Sequence, residues 1–142
     1  MTIWHDATGR QWTLKLTVLT LKKIKAALGI DLLNSVLAAN AITQEPLIIA
    51  EILWLIVEDD AKNLGLSANQ FFTAIDGPAI AAARDAFFEE WQNFFQKYPE
   101  QHRMIDQIRA LPEEAAKLAL AEVANKIRTP GPSSTSSPEL SG

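Results

Sequence analysis

Few side chains in this sequence have the types and spacing that catalysis or metal binding requires. The two histidines, His5 and His102, lie in no metal-binding array such as HxxxH or HExxH, and the absence of cysteine removes thiolate chemistry. Phosphate-binding glycine loops and the GxSxG motif of serine hydrolases do not occur. We therefore predict a protein that is not an enzyme and that has no catalytic residues, no metal and no cofactor.

Adjacent carboxylates occur twice, at Asp59-Asp60 and at Glu89-Glu90. Successive residues of a helix point about 100° apart, so neither pair converges on a shared ion or proton. We interpret both pairs as parts of solvated helix faces.

The overall charge opposes nucleic-acid binding. The formal net charge is −4, whereas binding to phosphate backbones draws on clustered lysine and arginine. The one local basic cluster consists of Lys15, Lys22, Lys23 and Lys25. We interpret it as an exposed helix face, with contact to an acidic partner as the alternative. A regulator that binds nucleic acid through this cluster is a third hypothesis, which predicts salt-sensitive DNA binding.

The apolar segments predict a cytoplasmic protein. Residues 1–6 lack the positive cluster and apolar run of a signal peptide. The most apolar stretch, residues 46–57, is interrupted by Glu51 and is shorter than the ~20 apolar residues that span a bilayer. We expect this stretch to form a buried helix and expect no membrane partner.

Strand signals flank a short turn near the N-terminus. Residues 3–6 and 11–18 are predicted strands, and Gly9 between them can adopt the positive φ that a tight loop requires. Along the second strand Trp12, Leu14, Leu16 and Val18 alternate with polar residues, which predicts one apolar face. Two strands alone are marginally stable in water, so this face must pack on helices or join a sheet from another copy.

The rest of the folded part is predicted to be helical. Helices are expected from Thr20 as N-cap to residue 28, from Asp31 as N-cap to about residue 39, from about 46 to 64, at 71–75 behind a Ser67/Gln70 capping box, from about 78 to 98, from 100 to 111 and from 112 to about 128. Gly29 and Gly65 are placed to end two of them. The predicted fold is mainly α: an N-terminal β-hairpin and a compact bundle of about five to seven helices form one globular domain over residues 1–128. Residues 129–142, rich in proline and serine, are predicted to be a flexible tail.

The predicted helix over residues 78–98 carries a stripe of aromatic side chains. The spacing indicates one helix face, and such stripes are most often core. The alternative, from which we derive candidate partner-binding residues, is that part of the stripe stays open as a groove for a partner helix. These candidates are Phe87, Phe88, Trp91, Phe94, Phe95 and Tyr98.

Four hairpin residues, Trp4, Asp6, Arg10 and Trp12, are candidate interface residues. We expect Arg10 to brace Asp6 across the turn and the tryptophans to bring the ribbon onto the helices. The free strand edge is then available to another copy or to a partner strand. The alternative is that the ribbon only closes one end of the core.

The pattern of the first two thirds of the chain resembles the tail assembly chaperones of long-tailed bacteriophages. The resemblance covers roughly residues 3–95. It is carried by Asp6, Gly9, Arg10 and Trp12 in the hairpin, by the Gly29-Ile30-Asp31-Leu32 segment, and by the GLSANQFF segment before the aromatic helix.

This resemblance implies a non-catalytic function in the cytoplasm of the bacterial host. A tail assembly chaperone covers the long, helix-rich tape measure protein and helps tail tube proteins to assemble around it. The implied partners are thus the tape measure protein and the tail tube protein, with self-association as a further expectation. The alternatives are a structural component of the virion and a small protein-binding adaptor.

Overall fold

Seven helices and one two-stranded antiparallel sheet occupy the part of the chain described by the computed structural model, residues 1–128. In chain order they are β1 (Thr2–His5), β2 (Gln11–Leu14), α1 (Val18–Leu28), α2 (Ser35–Gln44), α3 (Ile48–Asn63), α4 (Ala68–Thr73), α5 (Gly77–Phe94), α6 (Pro99–Ala110) and α7 (Glu113–Arg128). The predicted mainly helical fold with an N-terminal hairpin is confirmed. The tail predicted over residues 129–142 lies outside the described residues.

The hairpin turns at Gly9, whose φ of 85° is the positive value that the turn was predicted to need. Trp4 in β1 lies directly opposite Trp12 in β2. The sheet packs against α5 and α3, and the backbone N–H of Ala7 donates to the carbonyl of Ala74 at 2.8 Å. The two strands therefore gain from the helices the stability that an isolated hairpin lacks.

The second strand is shorter than predicted. It ends at Leu14, because the hydroxyl of Thr17 accepts a hydrogen bond from the backbone N–H of Thr20 at 3.3 Å and so caps α1. Val18 begins that helix and is 66% exposed. Its predicted place on the apolar strand face and the predicted N-cap at Thr20 are both wrong.

In the connection between α1 and α2, the predicted end of α1 is confirmed and the predicted N-cap of α2 is wrong. Gly29 ends α1 with a φ of 71°, as predicted. Asp31 does not cap α2; its side chain accepts from the backbone N–H of Leu33 at 3.0 Å and holds a turn. The cap is Asn34, which accepts from Leu37 at 3.5 Å. A short polar side chain can stabilise either a turn or a helix start, so α2 begins later than predicted.

Helix α3 is the predicted core helix. It ends just before Gly65, which has a φ of 77°. Its fully buried residues are Ile49, Ile52, Leu53, Val57 and Ala61. Within residues 1–128 no single helix is long and apolar enough to cross a membrane, and α2 and α3 meet that requirement only as a pair bent by 117°.

Local signals set the bounds of α4 and α5. The capping box is present: the Ser67 hydroxyl accepts from the Gln70 backbone N–H at 3.2 Å, and the Gln70 side chain accepts from the Ser67 backbone at 2.8 Å. Asp76 caps α5. This helix ends at Phe94, earlier than the predicted residue 98, because the backbone N–H groups of Phe95 and Gln96 donate to carbonyls three residues back and so form a turn.

Buried apolar residues from the hairpin and from each of the seven helices form one continuous core. Helix α7 closes one side by packing against α2. It does so through Ala116, Leu120 and Ala124, spaced four residues apart on one face. The small alanines allow the two helix backbones to approach closely.

Candidate partner-binding groove

Most of the aromatic stripe lies in the core. Phe87, Phe88, Trp91 and Phe95 are at most 4% exposed, and the indole N–H of Trp91 donates to the carbonyl of Leu32 at 3.0 Å. The prediction that these four rings help to line an open groove is therefore wrong. The physical reason is that α5 is surrounded by β1, β2, α3 and α6, which leaves its aromatic face no access to solvent.

The last two residues of the stripe lie nearer the surface. Phe94 is half-buried, and Tyr98, which follows the end of α5, is exposed. Phe95 packs edge-on against both rings, at centroid distances of 5.4 and 6.1 Å. These two residues do not make a groove, and a partner contact through them stays a prediction.

The hairpin tryptophans also face inward. Trp4 and Trp12 are both buried and pack edge-on against Phe71 of α4, at centroid distances of 6.2 and 5.2 Å. Their predicted role as interface side chains is therefore wrong in this fold, and the alternative, that the ribbon closes one end of the core, describes them. Pairing of a strand edge with another chain remains a prediction.

Asp6 organises the hairpin turn. Its Oδ1 accepts hydrogen bonds from the backbone N–H and hydroxyl of Thr8, at 2.9 and 2.6 Å, and from the backbone N–H of Arg10 at 3.0 Å. Its Oδ2 accepts from the Arg10 guanidinium at 3.2 Å and from the Trp12 indole at 3.0 Å. The predicted Asp6–Arg10 brace is confirmed, and the bond to Trp12 was not foreseen.

The same contacts determine the acidity of Asp6. Burial acts to raise the pKa of this carboxyl, but the hydrogen bonds from Thr8, Trp12 and Arg10 together hold the pKa below its ordinary value of 3.8. The side chain therefore acts as a carboxylate that stabilises the turn, which is a structural function.

The interpretation of Glu90 as part of a solvated helix face is wrong. Glu89 is exposed as predicted, but Glu90 is buried. Its carboxylate accepts from the Thr2 hydroxyl at 3.1 Å and from the Leu16 backbone N–H at 3.0 Å, and it lies 3.2 Å from the amino group of Met1. Glu90 thus attaches α5 to β1 and to the segment that follows β2. Because these partners are distant in sequence, no local pattern indicates them.

Three of the four clustered lysines lie on α1, where Lys22 and Lys25 are exposed and Lys23 is half-buried, whereas Lys15 is exposed but precedes the helix. Lys23 lies 3.5 Å from Glu58, and Lys25 lies 3.9 Å from Asp31. The hydrogen bond from Lys62, with a further contribution from Lys23, lowers the pKa of Glu58. No group of three or more histidine, aspartate or glutamate side chains within residues 1–128 is placed to hold a metal ion.

An open apolar groove lies elsewhere, between the N-terminal end of α3, helix α4 and the start of α5. We call it the α3–α5 groove; its volume is about 520 Å³. Helix α3 and the residue before it contribute Leu47, Ala50 and Glu51, and the opposite side is formed by Phe72, Ile75, Asp76, Gly77 and Ile80. Leu47 is 77% exposed, and Phe72, Ile75 and Ile80 are half-buried. Volumes of this order are typical of ligand-binding clefts.

The local sequence explains why this groove stays open. Phe71 and Phe72 are adjacent on the short helix α4 and point in different directions. Phe71 packs on the hairpin, whereas Phe72 packs beside Trp54 at a centroid distance of 6.3 Å and faces the groove. In the apolar stretch of residues 46–57 the core covers Ile49, Ile52, Leu53 and Val57, whereas Leu47 precedes the helix and lies at the surface. This stretch is apolar on more than one helix face, which is the sequence signal by which the groove could have been found.

Carboxylates are the charged groups of this groove. Glu51 and Asp76 are its charged lining residues, and both are exposed. Asp76 uses Oδ1 to accept from the backbone N–H of Ala79 at 3.0 Å. The side chain of Glu51 makes no hydrogen bond or ion pair with any part of the chain that the structure describes. The groove is thus apolar inside and acidic at its edge.

Comparison with models of protein families, with curated protein sequences and with solved structures finds no match to this chain. Any function assigned to it must therefore come from its own residues and from the sequence pattern described above.

Proposed function

We propose that this protein is a non-catalytic chaperone of bacteriophage tail assembly and that the α3–α5 groove binds an apolar helix face of the tape measure protein. The observation that carries the proposal is the groove itself, where Leu47, Phe72, Ile75 and Ile80 remain accessible on a folded chain. The resemblance of the hairpin and of the two following segments to tail assembly chaperones supports the choice of partner.

The physical basis is the burial of apolar surface on binding. An amphipathic helix recognises a groove by placing side chains at positions i, i+3, i+4 and i+7 into it. Fully burying a leucine that is otherwise exposed is worth about 1.5 to 3 kcal/mol. Leu47 is the most exposed of the large apolar side chains that line the groove and should therefore contribute a large share of the affinity.

The proposed setting follows from the same hypothesis. The protein would act in the cytoplasm of the bacterial host without a cofactor, and would release the tape measure protein when tail tube proteins replace it. A chaperone is expected to be absent from finished particles. Mass spectrometry of purified virions tests this, and abundant peptides from the protein would favour a structural virion component instead.

Two leucines near the ends of α3 provide a direct test of the groove. Leu47 lies in the groove and Leu64 lies outside it, and both are largely exposed, at 77% and 61%. Neither Leu47→Gln nor Leu64→Gln removes a buried contact, so both variants should fold. We expect Leu47→Gln to weaken binding to a tape measure fragment roughly tenfold or more, and Leu64→Gln to change it less than about twofold.

The measurement is isothermal titration calorimetry with the full chain, and circular dichroism verifies that both variants are folded. Equal affinity of the two variants, or binding lost in Leu64→Gln alone, would refute the assignment of the groove.

A further inference from the structure

The charges around the α3–α5 groove select among amphipathic helices. We infer that the groove's occupant is a basic amphipathic helix, one whose apolar stripe is flanked by lysine or arginine. This inference rests on the proposed function. The two charged side chains that line the groove, Glu51 and Asp76, are both acidic.

Glu51 is placed to contact such a helix. It lies four residues after Leu47, so the two side chains share one face at the start of α3. The groove therefore presents an apolar contact and a carboxylate side by side. With no ion-pair partner among residues 1–128, Glu51 can pair with a cation on the occupant without breaking an existing contact.

Asp76 adds a second carboxylate on the opposite side. One of its oxygens caps α5, and the residue is exposed. An occupant seated between α3 and α5 would thus lie between two carboxylates. Basic residues on both edges of an apolar stripe match this arrangement.

Two helix N-termini at the groove oppose this inference, since α3 and α5 both begin there. Each helix dipole contributes roughly half a positive charge at its N-terminus, about one positive charge for the two. The two carboxylates carry about two negative charges, so the net charge at the groove remains negative. An occupant with acidic flanks, or the anionic surface of a membrane, is therefore disfavoured.

A pair of synthetic helical peptides tests the sign of the charge. Both carry the same leucine stripe at positions i, i+3, i+4 and i+7; one has lysine flanks and the other has glutamate flanks. Fluorescence anisotropy with the full chain measures their dissociation constants. Each exposed ion pair corresponds to roughly a 1.4- to 5-fold change in affinity, and repulsion of the acidic peptide acts in the same direction. We expect the lysine peptide to bind about tenfold more tightly, with a preference that shrinks as salt rises.

Matched variants on α3 locate the effect. Glu51→Gln should reduce the preference for the lysine peptide by about two- to fivefold, whereas Asp60→Asn, which removes an exposed carboxylate outside the groove, should leave it unchanged. Leu47→Gln should weaken both peptides.

The outcomes separate this inference from the proposed function. Equal binding of the two peptides, still weakened by Leu47→Gln, would overturn the charge inference and leave the groove assignment intact. Tighter binding of the glutamate peptide would do the same. If neither peptide binds, or if Leu47→Gln does not affect binding, both the charge inference and the groove assignment are overturned.

Discussion

Replacing Asp6 by asparagine should destabilise the fold, because it leaves one buried donor, the indole N–H of Trp12, without an acceptor. In Asp6→Asn the oxygen facing Thr8 and the Arg10 backbone can stay in place, so those hydrogen bonds persist. The amide nitrogen then takes the position of Oδ2, where it faces the Arg10 guanidinium and the Trp12 indole N–H. Arg10 is partly exposed and can turn to water, but Trp12 is buried and its N–H loses its acceptor.

The size of the destabilisation follows from the hydrogen bonds that are lost or weakened. A hydrogen bond to a charged group contributes about 1.5 to 3 kcal/mol, and a buried donor left without a partner costs about 1 to 3 kcal/mol. The remaining bonds to Thr8 also weaken, because the acceptor is no longer charged. We expect Asp6→Asn to lower the free energy of unfolding by about 3 kcal/mol.

Urea unfolding followed by tryptophan fluorescence measures this difference, and a double-mutant cycle with Trp12→Phe isolates the indole bond. Trp12→Phe removes the donor, so Asp6→Asn should cost less on that background by roughly 1 to 2 kcal/mol. Asp60→Asn, an exposed aspartate on α3, is the control and should change stability by less than about 0.5 kcal/mol.

The pH dependence has a definite sign. Because the pKa of Asp6 is lowered in the folded state, its stabilisation is complete above the ordinary pKa of 3.8 and is lost as the pH falls toward the folded-state pKa. The stability difference between wild type and Asp6→Asn should therefore shrink below about pH 4. A difference below 1 kcal/mol at neutral pH, or one that stays constant down to pH 3, would refute the role given to this carboxylate.

Two further predictions concern α5, each with a neighbouring control. Trp91→Ala should lower the free energy of unfolding by about 3 to 5 kcal/mol, because it removes a fully buried ring and its bond to Leu32. Tyr98→Ala removes an exposed ring and its edge-on contact with Phe95, and should cost no more than about 1.5 kcal/mol. Chemical denaturation measures both, and similar costs would contradict the placement of the stripe in the core. Glu90→Ala should cost about 2 to 4 kcal/mol because it leaves buried donors of the hairpin unpaired, while the exposed Glu89→Ala should be nearly neutral. Thermal unfolding compares the pair, and a neutral Glu90→Ala would show that this residue does not hold the hairpin in place.

The features that the sequence predicts well are those that nearby residues control. The capping box at Ser67 and Gln70 needs residues three positions apart, and the left-handed end of α1 needs one glycine, Gly29. Both were predictable because the required hydrogen bonds and dihedral angles are local. The start of α2 was not, because Asp31 and Asn34 compete for the same function within three positions.

Contacts between residues distant in sequence, including those that form the candidate site, could not be predicted in the same way. The partners of Glu90 lie 74 and 88 positions away, so its burial depends on how the hairpin docks. The α3–α5 groove joins Leu47, Phe72 and Ile80 from three separate elements. Aromatic periodicity identified one face of α5, but the packing of the other elements covers that face and leaves the apolar side chains of the α3–α5 groove accessible.

The link between Thr2 and Glu90 has a consequence for synthesis of the protein. The hairpin is translated well before α5, and at usual elongation rates of about 5 to 20 residues per second the 88 intervening positions take roughly 5 to 20 s. Phe71 and α5 are both translated late in that interval, so for most of it Trp4 and Trp12 lack the groups that cover them. A nascent chain stalled before α4 and α5 leave the ribosome would thus expose both indoles, and premature termination there would yield an aggregation-prone fragment.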